Sequence, residues 1–174
     1  MSRRMAPLSK YLEGLGLQRA VAVQEHHITV DKLADQQSKL GDLGWRGLWT
    51  PAAVTPKGGS AGGVAVLAPS SFHLAPPPGL ESHILVDGRV VAVDVHWGVR
   101  GGAVLINCYL NVEEQFEGTN LAMIWQIVEY LQYLNHMGKD WMVMGDWNMS
   151  YDVLNTNRWV DEIKGKHYTS PIPT

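Results

Sequence analysis

The chain has 174 residues, 45% of them apolar, which is enough to bury one real core and suits a single domain. A net charge of −3 gives no broad basic footprint and argues against nucleic-acid binding by bulk charge, although carboxylates could still hold a cation against phosphate. One cysteine, Cys108, excludes an internal disulfide and a cysteine-built zinc site, and no run approaches the roughly 20 apolar residues of a membrane span.

The opening Met1-Ser2-Arg3-Arg4-Met5 lacks the apolar core of a secretory signal, so an intracellular protein, nuclear or cytoplasmic, is expected. Leu8, Tyr11, Leu12 and Leu15 recur at helical spacing behind Pro7, which predicts a short amphipathic helix stopped by Gly14 and Gly16. Ala20-Val21-Ala22-Val23 reads as a buried strand that ends abruptly in Gln24-Glu25. Thr29 or Asp31 can cap a second helix carrying Val30, Leu33 and Leu40, with Gly41 closing it. Residues 46–50 predict a strand. The run Lys57-Gly58-Gly59-Ser60-Ala61-Gly62-Gly63 invites comparison with a phosphate loop. It lacks the Gly-Lys-Ser/Thr ending and no helix follows, so a mobile loop feeding a strand at 64–68 is the better reading.

Residues 69–78 read as loop. Strands at 83–86 and 89–97 flank Asp87-Gly88, a hairpin signal, with Val91, Val93, Val95 and Trp97 on one face and Asp94 and His96 on the other. A turn at Arg100-Gly101-Gly102 leads into a strand at 103–110. Asn120 starts a helix whose stripe is Leu121, Ile124, Trp125, Val128 and Leu131, ended by Gly138. Residues 141–144 form a short buried strand, and after it Gly145 opens the backbone. On an extended segment Asp146 and Asn148 would project from the same side. Ser150 can cap a weaker helix running through Val160 and Ile163, and residues 164–174 look frayed. The middle of the chain is thus an antiparallel meander flanked by strand–helix units.

Polar groups stand where strands meet loops at four places: Val23-Gln24-Glu25, Gly62-Gly63-Val64-Ala65-Val66, Asn107-Cys108-Tyr109-Leu110-Asn111 and Gly145-Asp146-Trp147-Asn148. In this order and spacing they resemble the endonuclease/exonuclease/phosphatase superfamily, whose pattern is Gln-Glu, Gly-Gly-Val, Tyr-x-x-Asn and Gly-Asp-x-Asn. The third segment departs from it, with Tyr-Leu-Asn one residue short. Among subfamilies the chain looks most like retroelement endonuclease domains. The resemblance implies a DNase I-like α/β fold, a four-layer α/β/β/α sandwich with mixed sheets and an incomplete second sheet.

It also implies phosphodiester hydrolysis. Glu25 would ligate Mg²⁺ or Mn²⁺, and Asp146 would orient or deprotonate the attacking water. Asn148 and Tyr109 would donate to phosphoryl oxygens, and Asn111 would contact substrate. Adjacent His26 and His27 should point to opposite faces, so His26 reads as loop surface and His27 as the one that can face the substrate. Cys108 reads as a small buried hydrophobe. The substrate expected is nucleic acid, DNA rather than RNA. The family's first strand and its closing Ser-Asp-His segment have no counterpart here; His167 stands in Lys166-His167-Tyr168-Thr169 with no aspartate before it. An inactive binding module of the same fold, or a hydrolase of inositol phosphate or lipid headgroups, are the alternative expectations.

Overall fold

A computed structural model describes residues 19–96 and 102–166. The helix predicted around Leu8–Leu15, Trp97 and the tail from His167 onward lie outside the described residues. In chain order the elements are β1 (Val21–Val23), α1 (Val30–Asp42), β2 (Trp45–Thr50), β3 (Ala53–Val54), β4 (Ser60–Ala61), β5 (Val64–Pro69), β6 (His73–Ala75) and β7 (Ile84–Val86). There follow β8 (Val90–His96), β9 (Ala103–Tyr109), α2 (Gly118–His136), β10 (Trp141–Asp146), α3 (Tyr151–Thr156) and α4 (Trp159–Glu162).

Two-residue periodicity sets the layers. On β5, Ala65 and Leu67 face α1 with Leu40, Trp45 and Trp49, while Val64 and Val66 face the opposite way. On β8, Val91, Val93 and Val95 meet Val64 and Val66, and Val90 and Ala92 turn to α2. Three apolar seams therefore separate four layers: α1, the antiparallel sheet β1-β5-β2, the sheet β10-β9-β8-β6 with β7 also on β8, and finally α2 with α3 and α4. The second sheet is mixed, since β10 runs parallel to β9 and the other pairs are antiparallel. This is the α/β/β/α sandwich expected from the resemblance.

A polar bolt crosses the middle seam. Asn107 on β9 is fully buried, and its amide nitrogen donates to the carbonyls of Val23 (2.9 Å) and Ala65 (2.8 Å) in the facing sheet. Its carbonyl oxygen accepts from the Gln24 amide at 2.6 Å. A buried polar group is tolerated only when so satisfied.

Several local expectations are corrected. Residues 69–78 are not all loop, because β5 extends to Pro69 and β6 pairs with β8. Gly44 (φ 77°), not Gly41, follows the end of α1. On α2 the buried set is Asn120, Met123, Ile124, Ile127, Val128, Tyr130, Leu131 and Leu134, and Trp125 is 46% exposed. Trp125 sits about 100° beyond Ile124 around the helix, and that single step carries it off the covered face. The weaker helix at the C-terminal side is two, α3 and α4, interrupted at Arg158 with φ 52°. Ser150 caps the first by accepting from the Val153 N–H. Among the described residues no helix is long and apolar enough to cross a membrane.

Candidate active site

The last residues of β1, β9 and β10 come to one rim. β9 and β10 lie side by side with Tyr109 opposite Asp146, so these two follow directly from register. Gly145 makes the pairing possible: a Cβ there would collide with the Cys108 carbonyl oxygen. Beyond Asp146 the chain turns. Asn148 has φ 49°, its N–H donates to Asp146 Oδ1 at 3.1 Å, and its amide donates to the Leu110 carbonyl at 2.7 Å. Asp146 and Asn148 are therefore joined by an Asx turn rather than projecting together from an extended strand.

Across the seam, Glu25 follows β1 in a left-handed conformation (φ 50°). Tyr109 is 9% exposed and its phenol hydrogen-bonds Glu25. Burial first, then the negative field of Glu25 and that hydrogen bond, push the phenol's pKa up; Asp146 adds to the rise, and the Arg89 guanidinium opposes it. The Tyr109 phenol thus feels both Glu25 and Asp146, which are far apart in sequence. Arg89 stands 5.0 Å from the Tyr109 ring centroid and reaches toward its carbonyl, a neighbour that sequence reading missed.

His27 reaches the same rim, with Nε2 3.5 Å from Glu25 Oε1 and side-chain exposures of 28% and 48%. His26 is not loop surface. Its ring edge packs on Trp49 at 5.1 Å and occupies the space where a Gly63 side chain would be, while Nδ1 accepts from the Ile28 N–H. Burial lowers its pKa to about 4, so the ring is neutral. The glycine run is not a phosphate cradle. Gly62 and Gly63 accept from the N–H groups of His27 and His26, and the Gly63 N–H donates to Gly88.

Asn111 is drawn elsewhere. Its amide donates to Glu114 (3.1 Å) and Thr119 (2.6 Å), and its backbone is clamped by buried Asn120 at the start of α2. Cys108 is fully buried beneath the rim, and burial followed by the field of Asp146 pushes its thiol pKa up to about 12.

Exposed oxygen ligands such as Glu25 suit Mg²⁺ or Mn²⁺, which bind through one or two carboxylates and keep several waters. Among the described residues no group of three or more His, Cys, Asp or Glu side chains could hold an ion by itself. Any ion here would rest on fewer protein ligands, with water or phosphate completing its shell.

No protein-family model and no curated protein matches the chain. Among solved structures it is similar to ANGEL2, a 2',3'-cyclic phosphatase, with 15% identity, a TM-score of 0.59, and 86% of this chain covering 44% of that one. It is also similar to the AP endonuclease LMAP from Leishmania major, with 19% identity, a TM-score of 0.53, and 83% of this chain covering 50% of that one. The chain spans about half the length of these structures. Both have the DNase I-like architecture, and the four layers described above are the same arrangement. The chain carries the DNase I-like fold.

Proposed function

We propose that this chain is part of a divalent-metal-dependent phosphodiester hydrolase, most closely a nuclease acting on DNA. The observation that carries the reading is the Tyr109 phenol, set opposite Asp146 by strand register and bonded to Glu25 from the facing sheet. Glu25 would hold Mg²⁺ or Mn²⁺. When bound, the ion would polarise a phosphate oxygen and offset charge on the leaving group. Asp146 orients the attacking water and takes its proton. Its Oδ1 is fixed by the Asn148 N–H, so the carboxylate meets the water in a set direction. The second N–H of the Asn148 amide donates to a phosphoryl oxygen as charge builds, and the Tyr109 O–H, held by Glu25 in the free chain, would do so once the Glu25 carboxylate turns to the ion. With its amide engaged at α2, Asn111 offers substrate only its carbonyl oxygen. Similarity to an AP endonuclease and a cyclic phosphatase, both phosphoester hydrolases, supports the reaction class.

The test is nicking of supercoiled plasmid with and without Mg²⁺ or Mn²⁺, by the chain and by Asp146→Ala. We expect metal-dependent nicking that falls at least about 100-fold in the variant. Equal rates would remove Asp146 from the chemistry.

A further inference from the structure

The glycine-rich stretch, though no phosphate loop, fixes the orientation of one imidazole. The backbone N–H of His27 donates to the Gly62 carbonyl at 3.3 Å, and the Ser60 hydroxyl donates to the His27 carbonyl at 3.1 Å. The ring's Nδ1 lies 2.8 Å from the Ser60 carbonyl oxygen. A carbonyl oxygen only accepts, so Nδ1 carries the proton and the neutral ring presents the Nε2 lone pair outward. That lone pair is turned toward Glu25 Oε1, 3.5 Å away.

The spacing discriminates between two uses of the pair. A protonated ring donating to a carboxylate closes to about 2.7–2.9 Å, shorter than what is seen. Two ligands each about 2.1 Å from a shared ion and roughly at right angles lie about 3 Å apart, and a small side-chain rotation closes the remainder. A backbone carbonyl anchoring the far nitrogen is also the usual support for a metal-bound histidine.

We propose that His27 is the second protein ligand, through Nε2, of the ion held by Glu25, and that this site prefers Mn²⁺ to Mg²⁺. The preference follows from ligand chemistry: imidazole suits transition ions, while Mg²⁺ favours an all-oxygen shell. The inference rests on the reading of Glu25 as an ion ligand.

The test titrates Mn²⁺ into the full chain, reads free Mn²⁺ by electron paramagnetic resonance, and records electron spin-echo modulation of the bound ion. The expected result is a directly coordinated ¹⁴N in the unaltered protein that disappears in His27→Gln, with Mn²⁺ affinity falling about tenfold or more. Mg²⁺ should displace Mn²⁺ only in large excess, and His27→Gln should narrow that preference. Bound Mn²⁺ that depends on Glu25 but shows no ¹⁴N coupling, or a coupling that persists in His27→Gln, overturns the role of His27 and spares that of Glu25. Absence of Mn²⁺ binding, or binding unaffected by Glu25→Gln, overturns both. The spectrum of the unaltered protein decides the matter even should the variant fail to fold.

Discussion

Replacing Asn107 by leucine tests whether the two sheets are bolted together by a satisfied polar group. Leucine keeps the branched outline of asparagine and suits a strand buried on both faces, but its methyl groups are bulkier, so any overpacking adds to the loss of hydrogen bonds. Three bonds are lost: those to the carbonyls of Val23 and Ala65 and that from the Gln24 amide. Gln24 is half-buried and can turn to water, so its share is small. The two carbonyls lie in the seam, and stripping a partner from a buried acceptor costs about 1–3 kcal/mol each. The sum is about 2–5 kcal/mol, or a Tm lowered by roughly 5–15 °C for a chain of this size. Urea unfolding followed by tryptophan fluorescence measures it, as a lower midpoint at an unchanged slope. A midpoint shift equivalent to less than about 0.5 kcal/mol, the range of ordinary surface changes, would refute the bolt.

Two further outcomes follow from buried titratable groups. The His26 pKa is lowered from 6.5 to about 4 in the folded chain, so the unfolded state binds more protons between those values. The contribution of its neutral form is present above pH 6.5 and is lost as pH falls toward 4, by about 3 kcal/mol in all. Urea midpoints across that window should slope less in His26→Gln than in the unaltered protein, and parallel slopes would contradict the burial argument. Cys108, with its thiol pushed up to about 12, should resist aromatic disulfide reagents at about pH 8 until the chain is unfolded, then react fully. Rapid labelling of the native protein would show the seam beneath Asp146 to be open.

Much of the candidate site was legible because strand ends are local events. A valine-rich run stopped by Gln24-Glu25, and another stopped by Gly145-Asp146, announce edges where polar groups gather, and family order linked them across the chain. The Asp87-Gly88 hairpin was equally plain, since an Asp-Gly pair between two apolar runs marks a tight turn, and β7 pairs with β8 across it with Gly88 at φ 68°. Period-two reasoning failed where the backbone ceased to be extended. Positive φ values at Glu25, His27 and Asn148 re-aim side chains that a strand would have placed by parity alone. One local signal was read only as part of a polar strand end: Asn107, set between Ile106 and Cys108 in the apolar stretch 103–110, demanded a buried partner.

The sequence by itself determined the strand and helix periods, the positions of the turns and the identity of the polar strand ends, because each depends on neighbours only a few residues away. Tertiary structure alone decided that Asn107 reaches into the facing sheet, that Arg89 stands over Tyr109, that Ser60 and Gly62 hold His27 toward Glu25, and that Trp125 stays outside. Those outcomes depend on which surfaces pack together. Hydrogen-bond partners separated by 33 to 84 positions leave no local pattern for a sequence to display.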